Sequence, residues 1–440
     1  MRRPPAGAVS SASVQLQLVN VGTKLLADYA SIATRGLMDQ IRELVRPLEG
    51  KRVLHLSATA FGGGVAEILY TLVPLMRDAG LDVEWRIIHG QDEFFDVTKA
   101  IHNALQGDPN GLTPEQRETF ERYQVLNAEA LEGAYDFVIV HDPQPLGVIE
   151  HAREVGRHWT WRCHIDLSEP NPSVLEFLLP WICTHDAAVF HRRQYVPDTD
   201  ALPTAWIWPP AIDPLAPKNM ALSAEDASYI VDQFGIDLRR PLITQVSRFD
   251  PWKDPLGVIE AWRIVRRSHP NVQLALVGSM AHDDPEGWEY YNRTVAAADG
   301  DPDIFILSNL NNVGSVEVNA FQVHSAAVLQ KSIREGFGLT VTEALWKGRP
   351  VVAGRVGGIV DQVQDGETGY LVSSVEECAE KTKLVLDGPE RSRELALRGK
   401  EDVRRHFLTP RLLRDWLVHF NELEGNGSAV LELAESLRSA

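Results

Sequence analysis

Twice along this chain, short β-branched and apolar runs alternate with longer amphipathic stretches, and the alternation restarts after two adjacent prolines. Such a pattern folds as βα units around a parallel sheet, because parallel neighbours need a crossover long enough to bring the chain back. In the first half the expected strands are Arg52–Ser57, Val83–Ile88, Phe137–Val140, Trp161–Ile165 and Ala187–Phe190. A loop from Ala58 to Gly64 leads into a helix from about Val65 to Ala79, stopped by Gly80. Pro209 and Pro210 then forbid both helix and ladder donation, which marks a boundary. Beyond it the expected strands are Leu242–Val246, Gln273–Val277, Ile304–Leu307, Ala327–Leu329 and Val351–Ala353.

The expected fold class is therefore α/β, with two doubly wound Rossmann-like domains facing across a cleft. The organisation read from the chain is a mobile Pro-, Ala- and Ser-rich N-terminus over 1–17, a first domain over 18–210, a second over 211–410, and a closing helix and tail over 411–440. Within the last segment the amphipathic pattern runs from Leu412 to Leu423. With 440 residues, 44% of them hydrophobic, two large cores are within reach. A net charge of −18 argues against a broad nucleic-acid surface, which needs a basic face. Cys163, Cys183 and Cys378 are too few and too scattered for a disulfide framework or a zinc site, which fits a reducing compartment. No apolar stretch follows the arginines of the Met1–Ser13 segment and no run is long enough for a membrane span, so a cytoplasmic protein without membrane partners is expected.

Four segments carry candidate chemistry. Phe61-Gly62-Gly63-Gly64 lies between a strand and a helix, where backbone amides of Gly63 and Gly64 can approach an anion and the helix dipole favours negative charge. The bland alternative is a tight turn and nothing more. Arg248 and Lys253 follow the first strand of the second half and can clamp a diphosphate, a planar fork beside a mobile point charge. Pairing of both with Asp250 and Asp254 on a solvated loop is the competing reading. Glu335-Gly336-Phe337-Gly338-Leu339 offers a carboxylate and loop amides, and Glu343 falls inside the following helix among apolar residues, where a buried acid without partners would be costly. Finally, His141-Asp142-Pro143-Gln144 and His164-Ile165-Asp166-Leu167-Ser168 each follow a strand and present short polar groups to a hydrophilic ligand.

The Arg248…Lys253 pair and the Glu335…Glu343 motif resemble those of the retaining glycosyltransferases of family four, which have the GT-B fold. The likeness spans nearly the whole chain after about residue 45. The stretches HLSATAFGGGVAEIL, EFFDVTKAIHNALQG, VIVHDPQP, WRCHIDLS, SRFDPWKD and SIREGFGLTVTEALWKG are similar to the trehalose glycosyltransferring synthases of that family. That resemblance implies a hexosyltransferase making α,α-trehalose from a nucleoside diphosphate glucose and free glucose. It implies Glu335 on the donor glucose, Glu343 on the ribose, Arg248 and Lys253 on the diphosphate, and the amides of Gly63 and Gly64, with those of Gly336, Phe337, Gly338 and Leu339, toward the nucleotide sugar. More distantly, it implies Asp142 for the acceptor and His164 for the donor glucose 6-hydroxyl and the charge developing at C1. Gln144, Asp166, Lys99 and Asn103 are further acceptor-side candidates resting on the quoted stretches alone.

Neither a tightly bound cofactor nor a protein-held metal is implied, although Mg2+ can accompany the donor diphosphate as its counterion. Asp198-Thr199-Asp200 has the D-x-D spacing of metal-dependent transferases but follows Pro197 in an irregular stretch. Three readings stay open beside the synthase: a trehalose phosphorylase using the same clamp for inorganic phosphate, a synthase taking glucose 6-phosphate through Arg86, Lys99 and Arg162, and a non-catalytic nucleotide-sugar sensor, which the intact motifs disfavour. The preferred nucleotide and the oligomeric state, a homodimer among the options, are left open.

Overall fold

The computed structural model describes residues 15–61, 63–280, 285–426 and 430–439. Most of the N-terminal stretch expected to be mobile lies outside them. Its last residue is an exception, because Gln17–Leu18 forms strand β1 and pairs antiparallel with Ile87 and Arg86.

The chain divides into two compact units. The first holds the residues up to Leu25, Arg42–Trp208 and the chain from Leu417 on; the second holds Leu26–Ile41 and Pro209–Trp416. The boundary thus falls at the two prolines, but a division at 210 misses two returning segments. Leu26–Ile41 belongs with the second unit, where the buried Tyr29 hydroxyl donates to Asp213 at 2.9 Å. The amphipathic C-terminal helix, Thr409–Leu423, is shared, with everything after Trp416 in the first unit. There Phe420 stacks on Phe137 with ring centroids 4.3 Å apart, and His419 bonds Thr160 at 2.8 Å. Such returns are non-local contacts that no periodicity along the chain announces.

The first unit's sheet continues with β2 (Arg52–Ser57), β3 (Asp82–Ile87), β4 (Tyr135–His141), β5 (Gly156–Arg162), β6 (Ala187–Phe190) and β7 (Thr204–Ile207), in the order β1-β3-β2-β4-β5-β6-β7. All pairings but that of β1 are parallel. Leu54, Leu56, Val138, Val140, Trp159, Trp161, Ala188 and Phe190 enter one apolar core. The two-residue strand period therefore sends His55, His141 and Arg162 to the other face. The strand expected over Trp161–Ile165 is displaced to Gly156–Arg162. Polar Arg157 and His158 hide its first half, yet His158 stacks on Phe137 of β4, and the chain leaves the ladder after Cys163 donates to Val189.

In the second unit β8 (Leu242–Val246), β9 (Gln273–Val277), β10 (Ile304–Leu307), β11 (Ala327–Gln330), β12 (Val351–Gly354) and β13 (Tyr370–Val372) form an all-parallel sheet ordered β10-β9-β8-β11-β12-β13. Counted from its own first strand this is the dinucleotide-fold order, with helices on both faces. Ile243, Leu274, Leu276 and Leu329 pack with Val258 and Trp262 of the helix Pro255–Arg266. Leu242, Val246, Ala275 and Val277 pack on the opposite side with Val231 and Phe321. Sequence reading passes over β7 and β13 because both are short edge strands, β7 running straight into the prolines. Among the parallel strands of each sheet growth reverses direction once, between β2 and β4 and between β8 and β11, and loops after such strands diverge to leave a crevice. No helix among the described residues is long and apolar enough to cross a membrane.

Candidate functional site

In the second unit the candidate clamp follows β8 and the glutamate loop follows β11, so both stand at that sheet's reversal point. Asp250 caps the single turn Pro251–Lys253 by accepting from the Lys253 amide at 3.1 Å, and Gln245 at the end of β8 donates to the Lys253 carbonyl at 2.7 Å. The turn aims the ammonium of Lys253 at Glu335, 2.6 Å from Oε2, with Lys253 16% and Glu335 11% exposed. Ser332 donates to the same carboxylate oxygen at 3.2 Å. Arg248 reaches the buried Asp250 at 3.2 Å, but its side chain is 67% exposed and available to an anion.

The pairing of Arg248 and Lys253 with Asp250 and Asp254 is thus half realised. Asp254 instead pairs with Lys331 while its other oxygen caps the helix Pro255–Arg266 through the Gly257 amide at 3.0 Å. The loop holding Glu335 ends at Gly338, whose φ of +88° only glycine adopts readily, and Gly338 starts the helix Leu339–Trp346. Amides of Gly336 to Leu339 therefore lie at a helix N-terminus, where an anion is favoured. Phe337 is buried and pinned by Gln362, which donates to its carbonyl.

Glu343, one turn into that helix, is completely buried. Lys218 lies 3.1 Å from its Oε1, and apart from this ion pair neither carboxylate oxygen has a hydrogen bond among the described residues. Lys347 donates to Asn219 Oδ1 at 3.1 Å and toward the Glu343 carbonyl at 3.4 Å. Burial pulls the Lys347 ammonium down to about 7, against the opposing pull of Glu343, while Lys218 adds to the depression. Lys218, Asn219 and Lys347 were not singled out in the sequence; nothing local ties residues 218 and 219 to a helix more than a hundred positions later.

In the first unit the helix Gly64–Asp78 follows β2 and starts at Gly63, whose φ is +84°. Gly62 lies outside the described residues. A Cβ at Gly63 would meet open space, so its backbone angle, rather than a close approach, demands glycine there. After β4 and β5 the structure brings together Asp142 and His164. Asp142 Oδ1 accepts from the His164 amide at 2.7 Å, and its carbonyl accepts from Trp161 Nε1 at 3.0 Å. Asp142 itself has φ of +62°, rare for a residue with a side chain. Burial raises its carboxyl to about 7, although the His164 amide and the Arg162 charge both pull it down.

His141 Nδ1 stands 3.1 Å from His164 Nε2. The buried Asp166 folds back on Ser168, accepting from its amide at 2.9 Å and its hydroxyl at 2.6 Å. Gln144 is half-buried with its carbonyl held by Gln124. Lys99 and Asn103 sit elsewhere, on the helix Asp92–Leu105, exposed and half-buried respectively. Asp198 and Asp200 are exposed. Of the cations available to an acceptor phosphate, Arg162 is buried and donates to the Phe190 and Trp208 carbonyls at 3.2 and 3.0 Å, and Arg86 pairs with Glu84 at 2.7 Å.

Two family models match the chain: the N-terminal domain of trehalose synthase over residues 55–197 and the group 1 glycosyl transferases over residues 228–402. A trehalose synthase of Rubrobacter xylanophilus is 58% identical over 415 residues, covering 93% of this chain and 100% of that protein. One from Pyrococcus horikoshii is 47% identical over 407 residues, covering 92% and 98%. Among solved structures, a UDP-forming α,α-trehalose-phosphate synthase from Burkholderia xenovorans in complex with glucose-6-phosphate matches with a TM-score of 0.68 over 84% of this chain and 99% of that one. At 15% identity that is a likeness of fold, the GT-B fold of two Rossmann-like domains.

Proposed function

The chain belongs to the trehalose synthase family of glycosyltransferases, and from that membership we propose that it moves glucose from a nucleoside diphosphate glucose to free glucose, making α,α-trehalose with retention. The observation that carries this reading is the Lys253–Glu335 ion pair at 2.6 Å, set beside a helix N-terminus at the reversal point of the second sheet. In this proposal the Lys253 ammonium and the exposed Arg248 guanidinium neutralise the diphosphate as the bond from C1 to the phosphate oxygen breaks. Glu335 accepts from donor glucose hydroxyls. Glu343, with hydrogen-bonding capacity left on both oxygens, accepts from the ribose.

Because Glu335 is already engaged by Lys253 and Ser332, it suits binding rather than attack. The acceptor oxygen then bonds C1 on the face the phosphate leaves, and its proton passes to the departing phosphate oxygen. Asp142 is assigned to the acceptor, with Gln144, Asp166, Lys99 and Asn103 as secondary candidates, and His164 to the donor glucose. Mg2+ as a counterion of the diphosphate is compatible with this scheme. A nucleotide-sugar donor also suits a cytoplasmic enzyme.

Free glucose is favoured over glucose 6-phosphate because two of the three cations singled out for an acceptor phosphate, Arg162 and Arg86, are committed to carbonyls and to Glu84. The test is a product assay with UDP-, ADP- and GDP-glucose against glucose and glucose 6-phosphate, alongside trehalose with inorganic phosphate. Proton NMR should show a non-reducing α,α-1,1 disaccharide from the glucose arm. A β-linked or reducing product, or turnover confined to the glucose 6-phosphate or phosphate arms, overturns the proposal.

Asp142 gives a pH-dependent prediction. With its carboxyl raised to about 7, the carboxylate fraction grows as pH rises through that value. KM for glucose is therefore expected to fall between about pH 6 and about pH 8. Asp142→Asn should raise the glucose KM more than the donor KM and flatten its pH dependence. A normal, still pH-dependent glucose KM in that variant removes Asp142 from the acceptor site.

A further inference from the structure

Four successive strands of the first sheet each deliver one histidine to the face opposite the main apolar core: His55 from β2, His141 from β4, His164 after β5 and His191 after β6. Register explains how they meet. His55 is paired with Ile139, so the next residue of β4 on that face is His141; His141 is paired with Arg162, the last residue of β5, and two positions beyond it comes His164. Arg162 is paired with Val189, and two positions further His164 and His191 come level.

The rings join head to tail. His55 Nδ1 lies 2.9 Å from His141 Nε2, His141 Nδ1 lies 3.1 Å from His164 Nε2, and His164 Nδ1 lies 3.4 Å from His191 Nε2. The first three rings are near parallel, with interplanar angles of 24° and 21°, whereas His191 meets His164 edge-on at 76°. The nitrogens face one another in pairs and do not converge on a point, and no His, Cys, Asp or Glu group among the described residues is arranged to hold a metal.

A neutral imidazole donates from one nitrogen and accepts on the other. In a row linked always Nδ1 to Nε2, one ring's tautomer therefore dictates its neighbour's. We infer that His55, His141 and His191 are positioning residues which lock His164 into a single neutral tautomer shared by all four rings, and so decide whether its Nδ1 presents a proton or a lone pair to a sugar hydroxyl. The inference rests on the reading that His164 touches the donor glucose. Nδ1 is the nitrogen a ligand can share, because its link to His191 is the longest of the row. Net protonation is opposed by burial of every ring, and the Arg162 charge beside His141, His164 and His191 adds to it. The row therefore transmits polarity and stores no proton. A tautomer fixed by a buried partner is a known lever on catalysis.

The test is nitrogen NMR of the full chain with 15N-labelled histidine, without substrate. All four rings should be neutral, of one and the same tautomer, and unchanged between about pH 8 and about pH 5. In His55→Gln, whose amide can donate or accept and imposes no polarity, His164 should become a tautomer mixture while kcat drops ~10- to 100-fold at a nearly constant donor KM. His55→Phe provides the second variant, with unfolding midpoints measured for both.

Unlike tautomers in the unaltered protein, individual titration near the ordinary histidine range, or an unmoved His164 signal in folded His55 variants overturns the inference. A shared tautomer in a protein that transfers no glucose sinks the proposed reaction and leaves the row standing, so the two failures are distinguishable.

Discussion

Replacing Lys253 with Ala is expected to lower kcat for glucosyl transfer by ~100- to 1,000-fold, with a much smaller rise in donor KM. The asymmetry follows from where charge appears. The diphosphate is already anionic when it binds, but negative charge on its bridging oxygen grows only as the bond to C1 breaks, so a cation placed there acts mainly in the transition state. Lys253 is suited to this because two backbone contacts fix its turn, from Asp250 and from Gln245, and its ammonium is mostly withdrawn from water. Low local dielectric then makes each charge contact stronger than it would be on a solvated loop.

Arg248 is the more exposed of the two, and its removal is expected to cost less. Lys253→Ala also leaves Glu335 with Ser332 as a remaining donor, so Lys253→Arg is the control that restores the counter-charge without the geometry. Steady-state kinetics at saturating glucose, beside urea unfolding, decides the matter. A folded Lys253→Ala enzyme with unchanged kcat removes this residue from the leaving-group site.

The parallel strands were legible because mostly buried strands read as largely apolar runs, and β2, β6, β8, β9 and β10 have the bounds those runs give. The loops after β8 and β11 could be singled out because charged residues directly after such a run have few other places to go. Partner choice was not legible. Nothing local distinguishes Lys253 bonded to Asp254, the next residue along, from Lys253 bonded to Glu335 across the reversal point, since that depends on which strands lie side by side.

The histidine row shows the same limit from the other side. Leu54-His55, Val140-His141, Cys163-His164 and Phe190-His191 each put a histidine after an apolar residue at or near a strand's end. That recurrence was visible in the chain, yet its meaning required the register that brings the four rings level. The returning segments Leu26–Ile41 and Leu417 onward were hidden for the same reason, because Tyr29 with Asp213 and His419 with Thr160 are joined across 184 and 259 positions of sequence.

Glu343 carries the largest expected effect on stability. Its carboxylate is fully buried against Lys218, on the same helix end that withdraws Lys347 from water. Glu343→Gln keeps the shape and removes the charge, which leaves the Lys218 ammonium facing a neutral amide, and breaking a buried pair in this way costs ~3–5 kcal/mol. The loss should depend on pH in a defined direction. Lys347 has its folded pKa lowered from 10.5 to about 7, so between those values the unfolded chain binds more protons and stability rises with pH.

Glu343 is what holds the Lys347 value up, and its removal lowers that value further. The window in which the folded state carries a neutral Lys347 then extends to lower pH, and at about pH 8.5 the amine is neutral in both proteins. The destabilisation is therefore expected to be larger at about pH 6 than at about pH 8.5. The same variant should bind the donor nucleotide ~10- to 100-fold more weakly, because amide oxygens accept from ribose hydroxyls less strongly than a carboxylate does. Urea unfolding at the two pH values and calorimetric titration with UDP, ADP and GDP read the two effects separately. Unaltered stability at both pH values contradicts the buried pair, and unaltered nucleotide affinity in a folded variant contradicts the ribose assignment alone.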